Sequence, residues 1–101
     1  METIILGDGG MGRAVAAALV DCGAGVPRVL GRPVSVSHDP TVFAGADVVV
    51  EASRGEAVLA NIRAAVTGDV CRLVVATTDW DADRPAIEAL LREHRAAAVD
   101  R

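Results

Sequence analysis

The amino-acid sequence predicts a single α/β domain with a mostly parallel, doubly wound sheet. Short continuous apolar runs alternate along the chain with longer stretches whose apolar residues recur at helical spacing, and glycine or proline lies between most of them. Continuous apolar runs are typical of parallel strands that helices cover on both faces. A chain of 101 residues has the length of one domain, and we assign residues 1–101 to it.

Apolar runs predict six strands, of which the run from Ala46 to Ala52 is the clearest. In a doubly wound sheet this strand lies beside the first strand, on the side away from the second. The run at 34–37 follows the second strand too closely for a parallel crossover, which needs about a dozen residues, so we expect an irregular edge piece or a short third strand there. The predicted strands are 3–6, 26–30, 34–37, 46–52, 72–76 and 97–99.

Helical spacing of apolar residues predicts helices over 13–22, over 56–66 and from about Pro85 onward, with one further turn between Thr41 and Gly45. Each helix is expected to place one apolar stripe against the sheet. The stripe of the first helix is Met11, Val15, Ala18, Leu19 and Cys22, and that of the second is Val58, Leu59, Ile62, Ala65 and Val66.

The segment Gly7-Asp8-Gly9-Gly10-Met11-Gly12 joins the first strand to the first helix. In a dinucleotide fingerprint, the first glycine allows a tight turn, the second lets the backbone approach a pyrophosphate, and the third lets the helix pack on the strand. The amides of Gly10, Met11 and Gly12 then lie at a helix N-terminus, which favours an anion. The segment therefore predicts a Rossmann-like dinucleotide-binding domain. A purely structural glycine turn is the alternative.

The end of the second predicted strand is the place that usually distinguishes NAD from NADP. An acid there, about 20 residues after the glycines, binds the ribose 2′-hydroxyl of NAD. This sequence instead has Arg32, with Arg28 nearby. Because a guanidinium suits a 2′-phosphate, the sequence favours NADPH over NADH. The alternative is a solvated surface arginine beside Pro33.

The carboxyl end of the strand at 46–52 is expected beside the glycine segment, in the crevice where doubly wound sheets bind ligands. This places Glu51, Ala52, Ser53 and Arg54 next to the turn, with Ser53 and Arg54 on the crevice wall. Ser53 is also a candidate N-cap for the helix that follows.

Composition and charge exclude several classes of function. A net charge of −4 argues against binding nucleic acid, and no apolar run approaches the length of a membrane span. Cys22 and Cys71 lack metal-ligand spacing, and we expect them to be reduced core residues. His38 and His94 are expected to be a solvated loop residue and a helix-end residue, neither of them catalytic. With no secretory signal before the first strand, a cytoplasmic protein is expected.

Four motifs, taken together, resemble the N-terminal domain of 4-hydroxy-tetrahydrodipicolinate reductase (dihydrodipicolinate reductase). The opening Ile4-Ile5-Leu6-Gly7-Asp8-Gly9-Gly10-Met11-Gly12-Arg13 is similar to the start of that family, whose glycine loop ends in Met-Gly. Glu51-Ala52-Ser53 resembles the family's acid followed by Phe-Thr or Phe-Ser, and Asn61-Ile62 its helical Asn-Ile. Ala76-Thr77-Thr78-Asp79-Trp80 resembles its Gly-Thr-Thr-Gly-Trp segment. Order and spacing agree over essentially the whole chain.

The resemblance implies an NAD(P)H-binding oxidoreductase domain of lysine and diaminopimelate biosynthesis, with Ala76, Thr77 and Thr78 on the nicotinamide side of the cofactor. In the intact family, hydride passes from the nicotinamide to a cyclic unsaturated dicarboxylate. The residues that catalyse this step, a His-His pair and a downstream Lys, belong to a separate C-terminal domain. This sequence has no lysine and no adjacent histidines. We therefore expect the isolated chain to bind cofactor without turnover, and we assign it no catalytic residue and no metal site.

A non-enzymatic module that senses dinucleotides is the alternative function, although Arg28 and Arg32 stand where such modules usually have an acid. A phospho-acceptor receiver domain is nearly excluded, because it needs a lysine that the sequence lacks. The last predicted strand has no covering helix after it. We therefore expect either a homo-oligomer or a missing C-terminal domain to cover the exposed sheet.

Overall fold

The computed structural model describes residues 2–31, 40–70, 72–77, 80–94 and 97–100. These residues form an α/β domain around a five-stranded sheet. The strands are β1 (Thr3–Leu6), β2 (Arg28–Leu30), β3 (Val48–Glu51), β4 (Arg72–Val75) and β5 (Ala97–Asp100). The helices are α1 (Gly10–Asp21), α2 (Val58–Thr67) and α3 (Arg84–His94), with 3-10 turns at Pro40–Phe43, Gly55–Ala57 and Asp81–Asp83.

The strands pair in the order β2-β1-β3-β4-β5, and all four pairings are parallel. The chain crosses to one side of β1 to form β2 and then to the other side to form β3. The carboxyl ends of β1 and β3 therefore flank the point where the strand order reverses, which is where ligands bind in sheets of this kind. In the register, Leu6 lies opposite Glu51 at this end.

Successive residues of β1 point to opposite faces of the sheet, as the two-residue period of a strand requires. Ile4 and Leu6 belong to the larger core, which contains α2, α3 and the buried Phe43 of the first 3-10 turn. Ile5 belongs to the smaller core under α1, together with Val50 and Ala52. Helices thus cover both faces, and the predicted doubly wound α/β class is confirmed.

The strand predictions hold for the described residues, with shifts at the ends. The first strand has its predicted bounds, whereas β2 begins at Arg28 instead of residue 26. Pro27 has no N–H to donate to a neighbouring strand, and Val26 is 87% exposed, so neither joins the sheet. The strands predicted at 46–52 and 72–76 are shorter by one to two residues at their ends. The run at 34–37 lies outside the described residues.

The predicted stripe of α1 was wrong in part. Met11 is 55% exposed, and Ala18 and Cys22 are also exposed. The helix instead turns Gly12, Val15, Ala16 and Leu19 toward the sheet. The contact of Gly12 with the glycine turn fixes this rotation, because the residues three, four and seven positions later share its face.

The prediction that Cys22 is a core residue was wrong, whereas the predicted apolar stripe of α2 was confirmed. Cys22 caps the C-terminus of α1 as an exposed free thiol, so it is not a core residue; Cys71 lies outside the described residues. The stripe of α2 is confirmed, with Leu59 partly buried, and it also includes Asn61 and Ala64.

None of the helices in the described part of the chain has the length and hydropathy of a bilayer span.

Candidate functional site

Gly7 begins the turn between β1 and α1 and contacts the residues at the ends of β2 and β3. Its φ of 121° is in the left-handed region, and its N–H donates to the carbonyl of Leu30 at 2.9 Å. A Cβ built on Gly7 would lie 2.7 Å from the carbonyl carbon of Ala52. A side chain at this position therefore collides with the backbone after β3, so glycine is required by the fold itself.

Gly12 seats α1 on this turn. A Cβ built there would lie 2.9 Å from the carbonyl carbon of Gly7 and closer still to its oxygen. The third glycine of the fingerprint thus has the predicted packing role, as close contact between helix and strand requires.

Gly9 and Gly10 differ from these two, because no atom of the described residues lies within 4 Å of a Cβ built on either of them. Gly9 is the N-cap of α1, in an extended conformation with φ −80° that any residue adopts, and no side chain caps the helix. The first turn of α1 also contains no acid. Its leading N–H groups are the ones that lack partners inside an α-helix. Packing against the described part of the chain therefore does not require glycine at either position.

Two neighbouring cavities extend from this helix end along the carboxyl ends of β1, β3 and β4. The larger has a volume of about 480 Å³ and the smaller about 400 Å³, both within the usual size of ligand pockets, roughly 300–1,000 Å³. Met11, Ala52, Ser53, Arg54 and Glu56 line both cavities, which makes them one cleft. The larger cavity is also lined by Gly7, Asp8, Gly9, Gly10 and Ala57, and the smaller by Gly55, Ala76 and Thr77.

Two arginines flank the cleft. Arg13 Nε donates to the carbonyl of Asp8 at 2.9 Å and so holds the glycine segment from the first turn of α1. Arg54 lies 3.8 Å from Glu56, but the two side chains are 62% and 74% exposed. An exposed pair of this kind contributes little to stability, so the Arg54 guanidinium can rearrange toward an anion in the cleft.

The fully buried carboxylate of Glu51, the last residue of β3, accepts hydrogen bonds from two residues that line the smaller cavity, Ser53 and Thr77. Glu51 Oε1 accepts from the Ser53 N–H at 2.7 Å, from Thr77 Oγ1 at 3.0 Å and from Ser53 Oγ in a short hydrogen bond. Glu51 Oε2 accepts from Asn61 Nδ2 at 2.7 Å. These bonds join the ends of β3 and β4 to α2.

The structure brings together most of the predicted site residues. Gly7, Asp8, Gly9, Gly10 and Met11 line the larger cavity, and Ser53 and Arg54 line both cavities. Gly12 lines neither and packs on Gly7. Ala76 and Thr77 line the smaller cavity. Arg32 and Thr78 lie outside the described residues.

Two interpretations of single residues were wrong. Ser53 does not cap a helix, because its hydroxyl bonds to Glu51 and the residue before the 3-10 turn is Arg54. Arg28 does not lie at the carboxyl end of β2, where its closeness to Arg32 in the sequence had placed it, because it starts β2 and β2 ends at Leu30. It donates to the Val42 carbonyl at 2.7 Å and lies 3.4 Å from Glu2. These contacts hold it at the amino end of the sheet, opposite the cleft.

Sequence reasoning missed the hydrogen-bond network around Glu51, and in particular Asn61. A signal was present: Asn61 stands three residues after Val58 and beside Ile62, within the apolar stripe of α2. A polar residue on a buried helix face needs a hydrogen-bond partner, and the acid that ends the most apolar strand was the candidate. Glu56 and Ala57 also line the cleft without having been predicted to do so.

No protein-family model matches the sequence. The assignment of a function therefore depends on the geometry of the cleft.

Proposed function

We propose that this chain is an NAD(P)H-binding domain, with the dinucleotide in the cleft at the carboxyl ends of β1, β3 and β4. The observation that supports the proposal best is that the glycines of the segment 7–12 differ in the space around them. Gly7 and Gly12 have no room for a Cβ, whereas Gly9 and Gly10 have open space around them at the N-terminus of α1. The two glycines without an internal role are those whose backbone lines the larger cavity, where a side chain would occupy the space that a ligand needs.

The chemistry of this end of the cleft suits a diphosphate. Uncapped N–H groups at the start of α1 favour an anion through hydrogen bonds and the helix dipole. Exposed Arg54 adds a cation on the opposite wall. We assign the pyrophosphate to residues Gly7 to Gly12 and the crevice wall to Ser53 and Arg54.

Arg32 and the threonines are assigned to the two ends of the cofactor. The place of Arg32 in the sequence, just after β2, supports a contact with the adenosine 2′-phosphate, and therefore NADPH over NADH. Ala76, Thr77 and Thr78 are assigned to the nicotinamide side. When bound, the cofactor would supply hydride chemistry, and the residues of this chain would bind and orient it.

Resemblance to 4-hydroxy-tetrahydrodipicolinate reductase supports the view that this is the cofactor-binding half of such a cytoplasmic enzyme. A substrate must be held against the cofactor for turnover. The 101 residues contain no lysine and no His-His pair to hold or protonate it in the way that family does. We therefore propose that this chain alone binds NAD(P)H without reducing the dicarboxylate substrate, and that the catalytic residues come from a further domain or partner.

A dinucleotide sensor remains the second candidate, and one observation favours it. Arg28 is held at the amino end of β2 by Glu2 and Val42, so only Arg32 still argues for a 2′-phosphate. A clear preference for NADH over NADPH would support the sensor.

Fluorescence of Trp80, the single tryptophan, provides a direct test. It is buried under Arg84 and lies three residues after Thr77 in the sequence. Titration with NADPH and with NADH should quench Trp80 emission saturably and sensitise emission of the dihydronicotinamide. ADP-ribose should compete. The absence of any saturable response to either dinucleotide, together with no heat of binding by calorimetry, would refute the proposed function.

A further inference from the structure

The hydrogen-bond network around Glu51 fixes which hydroxyl groups can donate to a ligand in the cleft. Glu51 is 0% exposed, and its partners among the described residues are Ser53, Asn61 and Thr77, none of which carries a positive charge. A buried carboxylate without a cation is stable only when hydrogen-bond donors surround it. The hydroxyl protons of Ser53 and Thr77 are therefore donated to Glu51.

The proton of the Ser53 hydroxyl can be placed from its neighbours. Asn61 Nδ2 donates to Glu51 Oε2 at 2.7 Å and to Ser53 Oγ at 3.0 Å. An amide NH₂ only donates, so Ser53 Oγ is an acceptor on that side. Its single proton then points to Glu51 Oε1, in the short hydrogen bond. One lone pair of Ser53 Oγ remains for another partner.

The hydroxyl of Thr77 also donates its proton to Glu51. Its Oγ1 lies 3.0 Å from Glu51 Oε1 and 3.1 Å from the backbone oxygen of Glu51. Both of these oxygens only accept. The single hydroxyl proton of Thr77 is therefore shared between them, and both lone pairs of Oγ1 are without a donor among the residues that the structure describes.

Ser53 and Thr77 both line the smaller cavity. Because their protons are used by Glu51, these hydroxyls can offer a ligand in the cavity only a lone pair, that is, a hydrogen-bond acceptor. The same two hydroxyls without the buried carboxylate would turn to donate or accept as a ligand required.

We propose that Glu51 is a positioning residue that makes this end of the cleft selective for a ligand group that donates hydrogen bonds. A carboxamide NH₂ fits it, and a carboxylate, which has no proton to give, does not. The inference rests on the proposed function and deepens it: Ser53 and Thr77 distinguish the neutral nicotinamide end of a dinucleotide from its nicotinic acid analogue.

The test compares two ligands that differ in this group alone, NADP⁺ and nicotinic acid adenine dinucleotide phosphate, by isothermal titration calorimetry. The 2′-phosphate of ADP-ribose, which lacks the pyridine ring, is titrated as a third ligand. The wild-type chain should bind the carboxamide at least about tenfold more tightly than the carboxylate, the effect of one lost hydrogen bond to a charged group.

Glu51→Gln should reduce the preference to within about threefold. The glutamine NH₂ donates to one of the hydroxyls, whose proton is then free to meet a carboxylate. Thr77→Val removes one acceptor and should reduce the preference as well. If Glu51→Gln does not fold, Thr77→Val provides the test instead, because valine keeps the shape of threonine.

Two control variants should retain the wild-type preference. Thr3→Val makes the same substitution in a buried strand residue at the opposite end of the sheet, where the hydroxyl has no hydrogen-bond partner among the described residues. Asp79→Asn removes a carboxylate two residues after Thr77 in the sequence. Repulsion between that carboxylate and an anionic ligand is the alternative explanation for a preference for the carboxamide.

The outcomes separate this inference from the proposed function. If the ADP-ribose phosphate still binds, any of three results overturns this inference alone. They are equal affinity for the two dinucleotides, a preference that survives both Glu51→Gln and Thr77→Val, and a preference that disappears in Asp79→Asn. If none of the three ligands binds, the proposed function fails and this inference fails with it.

Discussion

At the scale of single residues, the glycine segment contains two kinds of position. Gly7 and Gly12 are fixed by contacts with the backbone of residues 52 and 7, and both are needed whether or not a ligand binds. Gly9 has an ordinary φ of −80° and an open neighbourhood. A substitution at Gly9 therefore separates binding from folding, which no change at Gly7 or Gly12 can do.

We predict that Gly9→Ser keeps or slightly raises the free energy of unfolding while it weakens NADPH binding by about tenfold or more. Serine at the N-cap of a helix is stabilising, by a few tenths of a kcal/mol relative to glycine. The same side chain stands in the larger cavity, where the proposed pyrophosphate approaches the backbone. Urea denaturation and calorimetric titration measure the two effects.

Ala14→Ser is the matched control for Gly9→Ser, because Ala14 is exposed on α1 and does not line the cleft. Its affinity for NADPH should equal that of the wild type. Gly12→Ala, in contrast, should lose several kcal/mol of stability through overpacking against Gly7. Unchanged NADPH affinity in Gly9→Ser would count against a pyrophosphate at this position.

At the scale of elements, the Glu51 network ties α2 to the ends of β3 and β4. We predict that Asn61→Leu destabilises the domain by about 2 kcal/mol or more, because it removes the donor to Glu51 Oε2 and leaves a buried carboxylate short of one hydrogen bond. Leucine has a similar size and a higher helix propensity, so the helix itself is not weakened. Urea denaturation measures the change.

Arg63→Leu is the control for this prediction, since Arg63 is an exposed residue of the same helix. It should change stability by less than about 0.5 kcal/mol. If Asn61→Leu is as stable as the wild type, the bond from Asn61 to Glu51 contributes nothing to the free energy of unfolding. The network would then not be what holds α2 in place.

The elements also show how far the sequence alone predicts the structure. The apolar runs predicted β1 to the residue and β3, β4 and β5 to within two, because a buried parallel strand is apolar on both faces. The stripe of α1 was predicted correctly at Val15 and Leu19 but wrongly at Met11, since Met11 fits the helical period as well as Gly12 does and only the contact with Gly7 decides between them.

The site was predictable where backbone geometry determines the residue type, as at Gly7 and Gly12. It was less so where a side-chain hydrogen bond decides the role of a residue. Ser53 has the sequence context of an N-cap, and its bond to Glu51 becomes visible only when the carboxylate is buried. Arg28 is four residues from Arg32 in the sequence, yet the direction of β2 carries it to the other end of the sheet.

At the scale of the whole molecule, the two faces of the sheet are covered unequally. The described residues place α2 and α3 on one face and α1 alone on the other. Val48 and Val74 on the α1 face remain partly exposed. Exposed apolar surface of this kind favours association.

We therefore predict that the chain self-associates through the α1 face of the sheet. Multi-angle light scattering should give a mass that exceeds 10.4 kDa and rises with concentration. The double substitution Val48→Thr and Val74→Thr, which keeps the β-branched shape of each residue, should lower that mass. A wild-type mass of 10.4 kDa at every concentration would show that this face needs no partner.

We propose above all that backbone amides at the start of α1 hold the diphosphate of a dinucleotide. Amide chemical shifts of the ¹⁵N-labelled chain, followed during titration with NADPH and with NADH, test it most directly. We expect saturable shifts at Gly9, Gly10 and Gly12, while amides at the far end of the sheet, such as that of Val70, keep their chemical shifts. Amides of residues 7–12 that do not move at saturating concentrations of either dinucleotide would contradict it.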